Sequence, residues 1–330
     1  MKSVLVTGAT GFVASHLIST FHQKGWQVKA ALRSSNPTFN DALPWVKSVV
    51  VGSIHSHTQW HHALKGVDTV VHLAARAHIL GDQATDSEAE YLEVNTYGTA
   101  NLVEQSIQAG VKHFLFMSSV GAMTMTSNQP LTENSLCQPD TPYGRSKLQA
   151  EQLLINLAAQ SSMSWTILRS PLIYGPRNPG NMERLIKLIQ RGWPLPLGLV
   201  KNQRSLIYVG NLVDAIALIL HHPQAVNQVF LISDTQSLST PELIRKIANI
   251  LNCSCYLLPL PPSFMRIAGS LGDAVEQRIH RSLPLNRQIV QRLLGSLVVD
   301  STHLQKTLGW QPPFTIDQGL YQTLKLWGCP

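Results

Sequence analysis

With 330 residues, 44% of them hydrophobic and 14% charged, the chain has material for one large or two modest domains with ample core. Its net charge is +7 with 13 His besides; the cations are scattered and no basic run interleaves with aromatics, which argues against nucleic acid and favours acidic small molecules. No apolar run reaches the roughly 18 residues of a membrane span, and Met1 leads straight into a strand without a basic–apolar–small leader, so a cytoplasmic protein is expected.

In chain order, Ser3–Thr7 is a short apolar run of the kind found in a buried parallel strand. Gly8 and Gly11 follow, flanking Thr10, and Phe12, Val13, Leu17, Ile18 and Phe21 then repeat with helical period. Strand, glycine turn and helix in that order predict a dinucleotide site. Glycine lets the pyrophosphate approach the main chain, and the helix N-terminus offers free N–H groups. The third small position is Ala14, which still permits close helix–strand packing.

Further strands are expected at Val28–Leu32, Ser48–Val51, Thr69–Leu73, His113–Met117 and Trp165–Leu168. Periodic stretches such as Ala89–Gln108 and Tyr143–Ala159 separate them. This alternation predicts an α/β fold, a Rossmann-type doubly wound parallel sheet covered on both faces. Beyond Arg169 the pattern loosens and proline becomes frequent. Strands at Ser205–Val209 and Val229–Ser233, flanking a helix Asn211–His221, are expected to return to the first domain. Residues 1–170, with a return segment about 205–234, are therefore read as the NAD(P)-binding domain. Residues 171–330 are read as a smaller, discontinuous substrate region.

Cys137, Cys253, Cys255 and Cys329 lack metal-ligand spacing except for one C-x-C, read as opposite faces of a strand. His55, His57, His61 and His62 have no acidic or cysteine company and read as a solvated loop and helix start. No metal site is expected.

Tyr143 and Lys147 stand at i and i+4 on one helical face, so an ammonium can sit near a phenol and lower its pKa from about 10. That makes Tyr143 a candidate acid/base for a hydroxyl or carbonyl. Ser118 and Ser119 close the strand FLFMSS, at the carboxyl edge where α/β sheets bind ligands, and one can bond the same substrate oxygen. Arg204 and Arg292 lie in the looser half, and a guanidinium fork pairs a diphosphate bidentately; for Arg292 a solvated surface role is an equal alternative.

Over nearly its whole length the chain resembles an extended short-chain dehydrogenase/reductase, the superfamily of nucleotide-sugar epimerases and dehydratases. The matching segments are Thr7–Phe12, His72–Arg76, Met117–Ser119, Pro142–Lys147, Leu168–Pro176, Arg204–Ile216 and Leu308–Trp310. The spans GNMERLIKLI and LPLGLVKNQRSLI are similar to the UDP-glucose 4-epimerase-like branch, which includes bacterial polysaccharide enzymes. The resemblance implies a catalytic set of Ser119, Tyr143 and Lys147. It implies cofactor contacts at Gly8, Thr10, Gly11, Phe12, Val13, Ala74, Ala75, Arg76, Asn95 and Pro171 besides Tyr143 and Lys147. Substrate contacts are implied at Ser119, Asn181, Leu195, Pro196, Arg204 and Arg292, and a homodimer is expected.

Three departures qualify it. No Asp or Glu lies between Val28 and Asn40, and the segment Ala30–Ser35 reads AALRSS. An acid there binds ribose hydroxyls whereas an arginine accommodates a 2′-phosphate, so Arg33 and Ser34 tilt the NAD(P) cofactor toward NADP(H). Ser53 stands where an acid often follows strand three, and Leu172 where epimerases often carry Asn. Dehydratases of the superfamily place an Asp–Glu pair after the catalytic hydroxyl; here Val120 and Gly121 follow Ser119, so dehydration is not expected.

Two enzyme readings remain, a nucleotide-sugar 4-epimerase and an NADPH-dependent 4-keto-sugar reductase. A dinucleotide-sensing scaffold without chemistry is the third reading, and an intact Ser–Tyr–Lys set opposes it. Finally, Phe264, Ile267, Ala268, Leu271 and Val275 form an apolar stripe near Arg266, Arg278, His280 and Arg281. It is read as a helix packed over the substrate pocket, with contact to a membrane surface as the sharper alternative.

Overall fold

The computed structural model describes residues 2–76, 87–178, 180–279, 287–325 and 327. Its strands are β1 Ser3–Thr7, β2 Gln27–Leu32, β3 Lys47–Val50, β4 Thr69–His72, β5 His113–Ser119, β6 Ser164–Ser170, β7 Leu172–Tyr174, β8 Arg204–Tyr208, β9 Gln228–Leu231 and β10 Ser237–Leu238. The helices of the first half are α1 Phe12–Gln23, α2 Pro37–Ala42, α3 His61–Leu64, α4 Ser87–Tyr91, α5 Gly98–Gln108 and α6 Pro142–Ala158. Those of the second half are α7 Asn181–Gln190, α8 Val209–Ile219, α9 Thr240–Leu251, α10 Pro262–Ile279, α11 Arg287–Leu294, α12 Thr302–Leu308 and α13 Ile316–Leu324.

Seven parallel strands form the main sheet in the order β3-β2-β1-β4-β5-β6-β9. Alternate side chains feed two separate cores, as the pleat requires. Val4, Val6, Val71, Leu115 and Met117 join α1 and α8 on one face. Leu5, Val70, Phe114 and Phe116 join α5 and α6 on the other. Burial on both faces is why these strands read as unbroken apolar runs. Strand order reverses between β1 and β4, so the crevice beyond their carboxyl ends is the topological switch point.

The expected helix Ala89–Gln108 is interrupted: Leu92–Tyr97 is π-helical between α4 and α5. Such bulges re-aim side chains and recur at functional sites. The two late strands also part company. The strand expected at Val229–Ser233 is β9 and adds to the main sheet beside β6. The strand expected at Ser205–Val209 is β8, which instead joins a three-stranded sheet with β7 and β10. Buried Asp234 fixes that second sheet, accepting from the Tyr208 N–H, the Asn211 amide and the Tyr174 hydroxyl. Cys253 and Cys255 lie in an irregular segment after α9 rather than on a strand, because Asn252 adopts φ 55° and turns the chain away from the helix.

The apolar stripe of α10 is not packed over a pocket. Phe264, Ile267 and Leu271 are exposed, while Met265, Gly269 and Gly272 make the buried face. The side chain of Val275, and those of Arg278, His280 and Arg281, lie outside the described residues.

Candidate active site

At the switch point, Gly8 has φ +65°, and a Cβ there would stand 2.9 Å from the Ala74 backbone. Only glycine lets β1 turn this close to the end of β4. The Gly11 N–H then donates to Gly8 O at 2.8 Å, and α1 starts at Phe12 with no side-chain cap. Its first-turn N–H groups thus face the crevice end uncapped by any side chain, which fits an anionic pyrophosphate. Thr10 and Gly11 are exposed and Phe12 and Val13 half-buried on the same turn.

The opposite wall is the segment Ala74, Ala75 and Arg76. Thr7 Oγ1 accepts from the Ala74 N–H at 3.2 Å and bonds His72 Nδ1 at 2.7 Å, while His72 Nε2 meets Thr99 Oγ1 at 3.0 Å. Burial lowers His72 to about 3, so it is a neutral strut. Asn95, carried by the π-helix, accepts from the Arg76 N–H at 2.7 Å and donates to Arg76 O at 3.1 Å and Ser146 Oγ at 3.0 Å. The wall and α6 are thereby one hydrogen-bonded unit. The Arg76 guanidinium lies 5.7 Å from the Tyr91 ring centroid and pairs with Glu90.

The residues singled out for chemistry meet at the end of β5. Ser119 closes the strand, and its Oγ accepts from the Gly121 N–H at 3.0 Å and lies beside the Tyr143 side chain. Helix α6 begins at Pro142, with the Thr141 hydroxyl accepting from the Gly144 N–H at 3.1 Å. This N-cap holds Tyr143 in the first turn facing Ser119. Lys147 is fully buried one turn later; its Nζ donates to Met117 O at 2.7 Å and stands 3.9 Å over the Phe116 ring.

The expected lowering of the Tyr143 pKa is not what the geometry gives. Burial pushes the phenol up to about 12, only partly opposed by the neighbouring Ser119 hydroxyl. The ammonium that was to lower it is itself desolvated, which brings Lys147 down to about 7 against support from Glu151, and its hydrogen bond goes to a backbone carbonyl.

Arg204 and Arg292 come together on the far side of Tyr91. Arg204 Nη1 donates to Arg292 O at 2.9 Å and Gly295 O at 3.0 Å, and β8 is held there by the Ser205 N–H bonding Leu297 O. Burial first and the neighbouring Arg292 charge second lower the Arg204 pKa. Burial lowers that of Arg292, opposed by Asp140 and Tyr91. Two part-buried cations pressed together favour a dianionic guest. Tyr91 in turn meets the Tyr143 ring edge-on at 6.1 Å, which connects this pair to the catalytic end.

Pro171 is buried directly after β6 and Leu172 is exposed. Leu195 is buried and bridges Leu257, and Pro196 follows it. Asn181 is exposed at the start of α7, and no described contact ties it to the arginines. Arg33 and Ser34 are exposed just past the end of β2, at the same sheet edge as Gly8.

Three contributors escaped sequence reasoning. A Cβ on Gly144 would lie 2.1 Å from Gly121 O, so the residue after Tyr143 must be glycine for α6 to seat against the turn Val120–Ala122. Ser146 receives the Asn95 amide. Glu151 accepts from Ser118 Oγ and pairs with Arg169 Nη2 at 2.6 Å, all three buried. The visible signal for the last was a second i, i+4 step, from Lys147 to Glu151.

Comparison with known proteins agrees with this geometry. The profile of the NAD dependent epimerase/dehydratase family matches residues 4–233. The chain is 39% identical to a UDP-glucose 4-epimerase of Vibrio cholerae, over 98% of this chain and 94% of that protein. It is 29% identical to the N-acetyl-alpha-D-glucosaminyl-diphospho-ditrans,octacis-undecaprenol 4-epimerase of Escherichia coli O157:H7, with the same shares covered. Among solved structures, MoeE5 in complex with UDP-glucuronic acid and NAD superposes with a TM-score of 0.76 at 25% identity, covering 98% of each chain. The chain belongs to the NAD-dependent epimerase/dehydratase family.

Proposed function

We propose that this protein is an NAD(P)-dependent 4-epimerase of a nucleotide-activated sugar, serving polysaccharide precursor synthesis. The observation that carries the reading is the convergence of Ser119 and Tyr143 at the carboxyl edge of the sheet, with Lys147 one turn behind. The glycine turn and uncapped α1 N-terminus would hold the dinucleotide, and Ala74–Arg76 would line its other side. When bound, the nicotinamide supplies reversible hydride storage. The protein's own work is proton handling and orientation. Tyr143 moves the C4 hydroxyl proton at its phenolic oxygen, Ser119 holds the same sugar oxygen, and the buried Lys147 charge favours phenolate when it forms. Arg204 and Arg292 would grip the diphosphate, so the sugar can turn over while its anchor stays fixed.

Ser119 is followed by the buried turn Val120–Ala122, which has no carboxylate to drive elimination. That separates this site from a dehydratase. The second reading, a 4-keto-sugar reductase, is favoured by Arg33 alone. Its exposed guanidinium, in a stretch without Asp or Glu, suits a 2′-phosphate, and we propose NADP(H) over NAD on that ground. Incubating the purified protein with UDP-glucose and catalytic NAD⁺ or NADP⁺, with sugar stereochemistry read by NMR, tests both readings. Net C4 inversion without cofactor consumption is expected; stoichiometric NADPH consumption with a 4-keto sugar, and no inversion, refutes the epimerase.

A further inference from the structure

Eight of the fifteen exposed large hydrophobics among the described residues fall in two short stretches: Trp193 and Leu199, and Tyr256, Leu258, Leu260, Phe264, Ile267 and Leu271. The backbone joins the stretches, since the Leu195 N–H donates to Tyr256 O at 2.8 Å and the Gly198 N–H to Leu258 O at 2.9 Å. Two residues past Leu260 the chain enters α10, which carries the other three exposed residues. An apolar expanse of this kind marks a contact surface on a protein that otherwise buries its core well.

Its charge is one-sided. Residues 184–213 and 243–272 contain no Asp or Glu; Arg204 there is part-buried, and Lys187 and Lys246 pair with Glu183 and Asp317, while Arg184, Arg191, Lys201, Arg245 and Arg266 are exposed. Arg191 stands 5.8 Å from the Trp193 ring centroid, and Lys201 and Arg266 are exposed beside the apolar residues. Between α10 and α11 a cleft of about 440 Å³ is lined by Arg266, Ser270, Arg287 and Asn128, polar groups that suit a phosphate headgroup. Asp273, the first acid after the face, is paired with Arg287. No helix among the described residues is long and apolar enough to cross a membrane.

We propose that this face docks the protein on the surface of an anionic phospholipid bilayer. Aromatic and aliphatic side chains enter the headgroup–acyl boundary to a depth of about 5–10 Å, and the flanking cations meet lipid phosphates. A second copy of this chain is a poorer occupant, because pairing the face with itself sets cations against cations without a single acid in either stretch. The proposal goes beyond the catalytic reading and does not depend on which carrier the sugar has.

The test is co-sedimentation of the full chain with phosphatidylcholine vesicles, with and without phosphatidylglycerol, at low and high salt. Binding to the anionic vesicles, weakened by salt, is expected. The combined variant Phe264→Ser/Ile267→Ser/Leu271→Ser should bind at least about tenfold more weakly, with far-UV circular dichroism and turnover of a soluble nucleotide sugar unchanged. A parallel variant, Trp193→Ser/Tyr256→Ser, should do the same from the other stretch. No binding to anionic vesicles at low salt overturns the proposal. So does unchanged vesicle binding by both folded variants, or a loss of self-association in sedimentation velocity that leaves vesicle binding intact.

Discussion

Gly144→Ala isolates the positioning of the catalytic helix from its chemistry. The added Cβ would stand 2.1 Å from Gly121 O, 3.0 Å from Gly121 C and 3.0 Å from Pro139 Cβ. A carbon–oxygen contact relaxes only at about 3.3 Å, so the two segments must part by roughly 1.2 Å. Neither side can yield cheaply, because the obstacle is backbone in a turn pinned by Ser119, and α6 is pinned by the Thr141 cap. Tyr143 and Lys147 travel with the helix. A misplacement of about 1 Å at a reacting group costs on the order of 10²-fold, and overpacking of this kind about 1–3 kcal/mol of stability. The expected outcome is a kcat reduced about 10²-fold with a smaller loss of dinucleotide affinity, since Gly8 and Gly11 lie on other elements and only the Tyr143 and Lys147 contacts move with α6. Steady-state kinetics and a fluorescence titration with cofactor measure the two, and urea unfolding measures the stability loss. A variant with kcat within about threefold of wild type would show that α6 has slack here, and the assignment of Gly144 as a steric key would fall.

Tyr143→Phe removes the proton donor alone and should lower turnover by about 10²-fold or more while cofactor still binds; near-normal turnover would dismiss the assignment. Arg33→Ala should weaken NADP(H) selectively by about 1.5–3 kcal/mol, and isothermal titration showing equal losses for NAD(H), or none for either, would restore the NAD reading. Lys147 has a folded-state pKa of about 7 against 10.5 for the free side chain, so the unfolded chain binds more protons between these values and stability rises with pH across that window. Urea unfolding at pH 7 and 9 should show wild type gaining about 2 kcal/mol relative to Lys147→Met, and identical pH slopes would refute the depressed pKa.

What the sequence made legible followed from local physics. Strands buried on two faces are unbroken apolar runs, which is why β1, β4, β5 and β6 were found nearly to the residue. The convergence of Ser119, Tyr143 and Lys147 at one sheet end was legible because a strand end and an i, i+4 step are local patterns. Partners set by the folded chain were not. Whether Ser205–Val209 joins the large sheet or a small one depends on pairing with Leu172–Tyr174, more than thirty residues away. Helical periodicity located the α10 stripe but says nothing about what covers it. The i, i+4 rule placed an ammonium near a phenol and could not register that both would be desolvated, nor that the Met117 carbonyl would take the ammonium's hydrogen bond.

The same limit hid the ionic assembly beneath the site. Glu151 on a helix and Arg169 eighteen residues later on a strand share no local pattern, yet both are buried and doubly bonded. A buried pair of this kind adds little net stability, because desolvation offsets most of the attraction, although removing one partner alone costs about 3–5 kcal/mol. Its value here is geometric. Ser118 and Ser119 point to opposite faces of β5, so the bond from Ser118 to Glu151 fixes one face of the strand end while Ser119 Oγ accepts from the Gly121 N–H on the other. Arg169 ties in β6, whose next residues lead to Pro171. The strand end bearing Ser119, the helix bearing Tyr143 and Lys147, and the strand leading to Pro171 are thus locked to one another through a single carboxylate, which sets the spacing that the proton transfer needs.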